Sequence, residues 1–286
     1  MLEHKQLLRK DPQTWNQSLA NEIGRLAQGI GNRIKGTDTI QFIKKEFIQE
    51  NKTVTYARVV ADYRPLKSHP YRTSLTVGGN LLHCQDKTKT DYARLPTIKT
   101  LLNSVISTPG SRFATGDFKN FYLKDNPLKD PEFMRFHISL LPPEVIHEYK
   151  LKDFVDEQGY VYIQINKGMY GLKQAGAFAH NNLIIRLRKH GYRPCKFTKG
   201  LWNHVSNSTH FVLVVDNFGI RYQNEADLQH LFAALRDKYT ISVDLTGKNF
   251  CGFSLNWNYH KHYVDMSMPS YIPNLLKQLQ FSSIHR

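Results

Sequence analysis

The sequence predicts an α+β fold built on a split β-α-β sheet, and three observations support this class. Between residues 112 and 243, apolar periodicity predicts the order strand, helix, strand, strand, helix, strand, which is that of ferredoxin-like folds. The segment FVLVVDNFGIRY predicts a hairpin, because an Asp-Asn pair interrupts a strand-like run. The chain has 286 residues, 41% of them hydrophobic, which is enough to bury a core in one large or two small domains.

The net charge is the strongest compositional signal. Lys and Arg number 39 against 24 Asp and Glu, a formal charge of +15. Such a charge favours nucleic acid as a partner, with acidic proteins, membrane surfaces and simple solubility as alternatives. No apolar run reaches the roughly 18 residues needed to span a bilayer, and the N-terminus lacks a secretory signal. We therefore expect an intracellular protein with no membrane partner, in the cytoplasm or, alternatively, the nucleus.

The cysteines predict neither a disulfide framework nor a zinc site. Cys84, Cys195 and Cys251 are far apart and show no C-x-x-C spacing. We expect three buried or inert thiols.

Residues 1–55 are expected to form an N-terminal helical extension. Trp15, Leu19, Ile23 and Leu26 recur at helical spacing and form one apolar stripe. The glycines of GIGNRIKGT suggest a phosphate-binding loop, but the phosphate-binding lysine is missing and no strand precedes the segment. We interpret it as an ordinary loop.

Three elements follow the extension. TVTYARVVADYR alternates and is rich in β-branched and aromatic residues, so it predicts a strand that carries Arg58. The segment TIKTLLNSVIS predicts a helix whose apolar face consists of Ile98, Leu101, Leu102, Val105 and Ile106. RFATGDF predicts a short strand with Asp117 at its end, where Gly116 would let other atoms approach the backbone closely.

The remaining elements complete the predicted sheet. YVYIQINKGMYGLKQAG predicts a strand, a glycine-containing turn and a helix whose basic end precedes Gly191. GLWNHV and THFVLVV predict two strands, and YTISV predicts the last one. Asn224 is expected to cap a helix whose apolar face consists of Leu228, Leu231, Phe232 and Leu235.

Asp216 lies at the predicted turn of FVLVVDNFGIRY. In the split β-α-β order, the first and third predicted strands, RFATGDF and THFVLVV, are neighbours at the centre of the sheet. Asp117 and Asp216 are therefore expected to face each other. Two adjacent carboxylates are costly unless a cation lies between them, which favours a divalent metal. The alternatives are an ordinary turn residue at Asp216 and a helix or turn cap at Asp117.

A metal at this position would suit nucleotidyl transfer. Mg²⁺ prefers oxygen ligands and is commonly held by one or two carboxylates together with substrate phosphates. Two Mg²⁺ ions about 4 Å apart, or Mn²⁺ in their place, activate an attacking hydroxyl and stabilise a leaving pyrophosphate. The basic charge and the paired aspartates together favour this reaction class.

Four motifs resemble a known family in their order along the chain. They are ATGDFKNFYL, KGMYGLKQAG, FVLVVDNFG and NFCGFSLNW, and the TVGGN segment near Gly78 adds to the likeness. From about Tyr56 to Tyr271 the chain resembles the polymerase domain of a copia-like (LTR retrotransposon) reverse transcriptase. The resemblance implies fingers and palm over residues 56–265, with the palm as the split β-α-β sheet. It also implies that residues 266–286 are the truncated start of a thumb that is largely missing.

The resemblance implies roles for the residues around the paired aspartates. Asp117 and Asp216 would be metal-binding catalytic carboxylates, and Asn217 stands where the family has a further catalytic aspartate. A primer-contacting hairpin would include Cys251, Gly252 and Phe253.

The resemblance also implies three nucleotide-binding residues. Tyr122 would be a steric gate against the 2′-hydroxyl of a ribonucleotide, with a half-buried core tyrosine as the alternative. Gln174 would contact the nucleotide at the start of a helix, with a surface amide as the alternative. Arg58 would reach the triphosphate, with a solvated strand-face arginine as the alternative.

Because Asn217 replaces a catalytic aspartate of the family, the chain could be an active polymerase or a protein that has lost this activity. An amide removes one negative charge from the site, and we expect the rate to fall by at least about 10- to 100-fold. The first hypothesis is an RNA-directed DNA polymerase that uses an RNA template, a DNA primer and deoxynucleoside triphosphates. The alternatives are a non-catalytic nucleic-acid-binding remnant of a retroelement, and a folded relic that binds nothing in particular.

Overall fold

The computed structural model of the protein describes residues 4–63, 70–83, 90–123 and 127–279. Cys84 lies outside these ranges. In chain order the helices are α1 (His4–Lys10), α2 (Pro12–Leu26), α3 (Leu95–Ser107), α4 (Pro143–Glu148), α5 (Ala175–Lys189), α6 (Glu225–Arg236) and α7 (Tyr271–Gln278). The strands are β1 (Gly29–Ile30), β2 (Ile34–Lys35), β3 (Ile40–Ile43), β4 (Val54–Tyr63), β5 (Tyr71–Val77), β6 (Arg112–Lys119), β7 (Pro127–His137), β8 (Tyr160–Lys167), β9 (Tyr192–Pro194), β10 (Leu201–His204), β11 (His210–Val214), β12 (Asn217–Tyr222), β13 (Thr240–Asp244), β14 (Asn249–Phe250), β15 (Phe253–Asn258) and β16 (Tyr263–Ser267).

The mixture of helices and separate sheets confirms the predicted α+β class, and the chain divides into two compact units. Unit 1 consists of Met1–Lys89 and Tyr122–Asn182, and unit 2 of Thr90–Phe121 and Leu183–Arg286. The first 55 residues contribute α1, α2 and also the strands β1 to β3, all within unit 1. One boundary between the units falls inside α5, between Asn182 and Leu183. The amino-acid composition does not change at this position.

Unit 1 is built on a five-stranded sheet in the order β3-β8-β7-β4-β5. Neighbouring strands are antiparallel, except that β4 and β7 run parallel. The predicted stripe of α2 is confirmed, since Trp15, Leu19, Ile23 and Leu26 are all buried. Three of these residues join the apolar core of unit 1, which also contains Leu75, Met134, Phe136, Val161 and Ile163.

The segment GIGNRIKGT forms a very short hairpin. Gly29 pairs with Lys35 and Ile30 with Ile34. The segment is therefore a tight turn that closes on itself, in agreement with the interpretation that it is not a phosphate-binding loop after a strand.

Unit 2 contains a six-stranded sheet in the order β13-β6-β12-β11-β10-β9. Its first four strands have the predicted ferredoxin-like order, with α5 after β6 and α6 after β12. One detail of the prediction is wrong. The neighbour of the Asp117 strand is β12, the second arm of the hairpin, and THFVLVV (β11) lies one strand further away. The hairpin turns back into the sheet, so its second arm occupies the central position.

The two faces of the unit 2 sheet carry different layers. On one face, Phe113 of β6 packs with the buried side of α3 and with Phe250 and Leu255 of the later strands. The predicted face of α3 is confirmed, with Ile106 only partly buried. On the other face lies α6, capped by Asn224, whose side-chain oxygen accepts the N–H of Ala226 at 2.9 Å.

A separate three-stranded sheet in the order β14-β15-β16 follows β13. Phe250 pairs with Phe253, so Cys251 and Gly252 form a two-residue turn. Both turn residues have positive φ, 49° and 85°, as a type I′ hairpin turn requires. Within the part of the chain that the structure describes, no helix is long and apolar enough to cross a membrane.

Candidate active site

Asp216 occupies a tight turn between β11 and β12. Val214 pairs directly with Asn217, so Val215 and Asp216 alone form the connection. Val215 has a φ of 59°, a conformation that is strained for a β-branched residue. The N–H of Phe118 on β6 donates to the carbonyl of Asp216 at 3.0 Å and ties the turn to the neighbouring strand. The turn is therefore held by the sheet in a conformation that its own sequence does not favour.

Asp117 lies between two polar residues of the neighbouring strands. Its register partners are Asn217 on β12 and Ser242 on β13. Directly opposite residues of an antiparallel pair share one face of the sheet, with Cβ atoms about 4.5–5.5 Å apart. The structure thus brings together the three predicted catalytic residues Asp117, Asp216 and Asn217.

The Asn217 side chain contacts the Asp216 carboxylate. Its Nδ2 atom donates a hydrogen bond to Asp216 Oδ1 at 2.9 Å. An aspartate at this position would place a second negative charge where the amide now donates. Asn217 therefore stabilises the Asp216 carboxylate without a metal, a role that the sequence alone did not indicate.

The turn of the β14–β15 hairpin lies beside the two aspartates. Burial raises the pKa of the Cys251 thiol to about 12, and the carboxylates of Asp216 and Asp117 contribute to the increase. The thiol is therefore protonated and uncharged at neutral pH. Of the predicted primer-contacting residues Cys251, Gly252 and Phe253, Cys251 therefore lies near the aspartates, and the primer contact itself stays a prediction.

A glycine on β12 allows this hairpin to approach the sheet. A Cβ atom on Gly219 would lie 2.9 Å from Phe250 Cζ and 3.0 Å from Phe113 Cζ. The rings of Phe113 and Phe250 meet edge to face, with centroids 5.9 Å apart. At Gly116, by contrast, an added Cβ would meet its nearest neighbour at an ordinary 3.5 Å. The close approach expected at Gly116 was therefore wrong, and it occurs at Gly219 instead.

Ser242 is a site residue that the sequence analysis missed. It is exposed and flanks Asp117 on the side opposite Asn217. The alternation within YTISV, with Ile241 and Val243 on one face and Ser242 on the other, is the signal that could have identified it.

Two of the predicted nucleotide-binding residues have clear surroundings within unit 1. Arg58 is exposed on β4, and its backbone carbonyl accepts the hydroxyl of Thr76 at 3.2 Å. Tyr122 is half-buried against the core of unit 1, and its ring lies edge to face with Tyr170 at 5.1 Å. The half-buried position agrees with the alternative interpretation of Tyr122, and its role as a gate stays a prediction.

Gln174 is buried rather than exposed, so the surface-amide alternative is wrong. Only 8% of the residue is accessible, and its side chain hydrogen-bonds the carboxyl group of Glu132. Burial raises the pKa of Glu132, whereas Lys52 and the Gln174 hydrogen bond act in the opposite direction. Helix α5 begins directly after Gln174, as predicted, and the Gln174 carbonyl accepts the N–H of Phe178 at 3.0 Å.

The donor atoms at the aspartates suit a hard divalent ion. They are the carboxylates of Asp117 and Asp216, with the carbonyl oxygen of the Asn217 amide as a weaker ligand. Among the described residues, no group of three or more His, Cys, Asp and Glu side chains forms a metal-binding cluster. Two carboxylates fit one Mg²⁺ whose remaining ligands are water and phosphate better than they fit a pair of ions.

Comparisons with known proteins show resemblance at a low level. No protein-family model matches the chain. The protease–reverse transcriptase of prototype foamy virus is 13% identical, covers 76% of this chain and aligns with a TM-score of 0.39. A foamy viral protease–reverse transcriptase in complex with double-stranded DNA is 12% identical, covers 84% of this chain and aligns with a TM-score of 0.37. The chain spans 23% and 34% of the length of these two proteins. Likeness at this level does not define what the chain does.

Proposed function

We propose that the chain is the polymerase domain of a copia-like reverse transcriptase, with nucleotidyl transfer at Asp117 and Asp216. The observation that carries this proposal is the register of β6 and β12, which sets Asp117 opposite Asn217 with Asp216 in the adjoining turn. The two aspartates come from positions about a hundred residues apart in the sequence, in two of the four motifs that resemble the family. In this proposal unit 2 carries the palm, and unit 1 carries the fingers.

The chain's own residues supply the positioning. Asp117 and Asp216 would hold Mg²⁺ or Mn²⁺ through their carboxylate oxygens. A bound divalent ion supplies charge neutralisation and Lewis-acid activation for transfer of a nucleotidyl group. The ladder between β6 and β12 places Asp117, and the hydrogen bond from Phe118 places the Asp216 turn. The Cys251 thiol, uncharged because of its raised pKa, lies beside these carboxylates without adding a charge.

The substrates in this proposal are an RNA template, a DNA primer and deoxynucleoside triphosphates. Tyr122, Gln174 and Arg58 would contact the incoming nucleotide, and the Cys251–Phe253 turn would contact the primer. The formal charge of +15 supports a polyanionic partner, since basic side chains release counterions from the phosphate backbone. The buried hydrogen bond from Gln174 to Glu132 would have to rearrange for the amide to reach a nucleotide.

A non-catalytic nucleic-acid-binding remnant is the second candidate function. The hydrogen bond from Asn217 to Asp216 favours it, because it satisfies a carboxylate oxygen that a metal would otherwise bind. In that case the basic surface would persist while the chemistry is lost.

The test is extension of a labelled DNA primer on an RNA template with Mg²⁺ or Mn²⁺. The variants are Asp216→Asn, Asn217→Asp and the control Asp265→Asn, which changes an exposed carboxylate on β16. We expect Asp216→Asn to abolish extension, Asn217→Asp to increase it at least about tenfold, and the control to match the native chain. Equal extension by Asp216→Asn and the native chain would refute the proposal. If none of the four chains extends the primer but the native chain binds an RNA–DNA hybrid in a salt-sensitive way, the result would support the non-catalytic nucleic-acid-binding remnant instead.

A further inference from the structure

Unit 1 carries a groove on its five-stranded sheet that the proposed reaction does not use. The groove has a volume of about 450 Å³, within the usual range of about 300–1,000 Å³ for ligand sites. Its lining consists of Tyr56, Ala57, Arg135, Phe136, His137, Ser139, Leu140 and Tyr160. None of these lining residues is acidic, and Tyr56 and Arg135 are register partners on β4 and β7. The lining of the groove therefore combines aromatic and cationic side chains and contains no carboxylate.

The Tyr56 side chain is fixed by contacts with Gly78 and Asn80, and it remains partly exposed to solvent. The residue is 43% exposed, and its hydroxyl donates to Asn80 Oδ1 at 3.0 Å. The ring lies so close to Gly78 that an added Cβ there would be 2.6 Å from ring atoms Cε1 and Cζ. The Thr55 hydroxyl donates to the Gly78 carbonyl at 2.6 Å and fixes this backbone.

These contacts give the TVGGN segment a structural role. Gly78 permits the ring of Tyr56 to approach, and Asn80 holds its hydroxyl. A ring that is fixed in advance loses little conformational entropy when another ring stacks on it. The Tyr56 ring is therefore preorganised to stack with a base.

The Arg135 side chain is also held in place by its neighbours. Its guanidinium carbon lies 4.5 Å from the centre of the Tyr160 ring in a cation–π arrangement, and the side chain also hydrogen-bonds the Tyr162 hydroxyl. A guanidinium has five N–H donors, so others remain for a ligand. The His137 ring meets Tyr160 edge to face at 5.2 Å, and His137 Nδ1 hydrogen-bonds the exposed Ser139 hydroxyl at 2.7 Å. His137 Nδ1 also accepts the Ser139 N–H at 3.3 Å, so the Ser139 hydroxyl donates its proton to the His137 ring. The planar guanidinium of Arg135 is the group of this cluster that suits a phosphate.

We propose that this groove binds a segment of single-stranded nucleic acid, with one base stacked on Tyr56 and a backbone phosphate bound by Arg135. Aromatic rings beside basic side chains are the general means by which proteins bind unpaired strands without sequence preference. A duplex does not fit this chemistry, because its bases are already stacked. The site does not depend on polymerase activity, since no residue in it belongs to the aspartate site.

The test is fluorescence anisotropy with a labelled oligo(dT) ten-mer in EDTA, without nucleotides. Stacking on an aromatic side chain contributes about 1–3 kcal/mol per base, so Tyr56→Ala is expected to weaken binding about 5- to 150-fold. Tyr56→Phe keeps the ring and loses only its hydroxyl bond to Asn80, so it should bind much more tightly than Tyr56→Ala. Tyr63→Ala is the matched control, since Tyr63 is 56% exposed on the same strand and lies outside the groove.

An abasic ten-mer isolates the stacking contribution. We expect the native chain to bind it more weakly than oligo(dT), and we expect that difference to shrink in Tyr56→Ala. Arg135→Gln should weaken both oligomers alike. Thymidine monophosphate presents the same base and phosphate, and if it displaced the ten-mer at equal concentration the site would be one for free nucleotides and the strand proposal would fail.

Two further results would overturn the proposal. One is that Tyr56→Ala and Arg135→Gln both bind oligo(dT) as tightly as the native chain does. The other is an equal loss in Tyr63→Ala, which would indicate diffuse binding by the basic surface. If Tyr56→Ala does not fold, photocrosslinking of a 4-thiothymidine ten-mer to the native chain decides the matter, with adducts expected on peptides that contain Tyr56 or Tyr160.

Discussion

Gly219 lies directly beneath the ring of Phe250, at a distance that leaves no room for a side chain. This contact joins the central strand β12 to the hairpin whose turn contains Cys251, and it lies two residues from Asn217. The position of the hairpin beside Asp117 and Asp216 therefore depends on the absence of a single Cβ atom.

Gly219→Ala is expected to destabilise the protein. An added methyl would overlap the rings of Phe113 and Phe250, and overpacking of this kind costs about 1–3 kcal/mol. Urea unfolding should show a lower midpoint. Gly116→Ala is the control, because the nearest atom would lie 3.5 Å from the new methyl, and it should unfold near the native midpoint. Equal destabilisation by both substitutions would count against this account.

Asn217→Asp is expected to make stability depend on divalent metal. In EDTA the variant loses the hydrogen bond to Asp216 and gains a second carboxylate beside it, so its melting temperature should fall. Saturating Mg²⁺ should raise the melting temperature of the variant more than that of the native chain, since ligand binding stabilises the folded state. A melting temperature of the variant that does not respond to Mg²⁺ or Mn²⁺ would show that these residues do not form a metal site.

Cys251 is expected to react slowly with iodoacetamide in EDTA at pH 8. Burial and the two aspartates raise the pKa of its thiol to about 12, and only the thiolate is nucleophilic. Cys195 supplies an internal comparison. Hydrogen bonds from the backbone N–H groups of Phe197 and Thr198 and from the Thr198 side chain lower its pKa, although partial burial opposes them.

Peptide mass spectrometry after timed alkylation measures both sites in one sample. Cys195 should be modified first, and Asp216→Asn should speed the modification of Cys251 by removing one of the charges that raise its pKa. Faster labelling of Cys251 than of Cys195 in the native chain would contradict the described environment.

Stability is expected to fall at alkaline pH. The folded state raises the pKa of Cys251 from 9.0 to about 12 and, through burial, also raises the pKa of Tyr259 above its ordinary 10.0. The protonated forms therefore stabilise the folded state, and this contribution is complete below about pH 9 and is lost as pH rises toward 12. Urea midpoints between pH 8 and 11 measure the effect. Cys251→Ser should flatten the decline that begins near pH 9, and an unchanged profile would argue against the raised thiol pKa.

The periodic elements could be predicted because they depend on local patterns. The stripe of Trp15, Leu19, Ile23 and Leu26 and the capping of α6 by Asn224 both follow from spacing within one or two turns of helix. A hairpin at Asp216 was also predictable, since strand-like residues flank the Asp-Asn pair, but the structure places the turn at Val215 and Asp216, and Asn217 begins β12. The split β-α-β order of the sheet followed from the order of these elements.

The sequence alone therefore determined the class of fold, the hairpin position of Asp216 and the candidate pairing of Asp117 with that hairpin. Only the tertiary structure decided that β12 rather than β11 lies beside Asp117, that Gly219 rather than Gly116 admits a neighbouring ring, and that the Gln174 amide is buried against Glu132. The physical reason is that helical and strand periodicity arises from neighbouring residues. Strand neighbours, close contacts and buried hydrogen bonds join residues far apart in the chain, and they are chosen by packing in three dimensions.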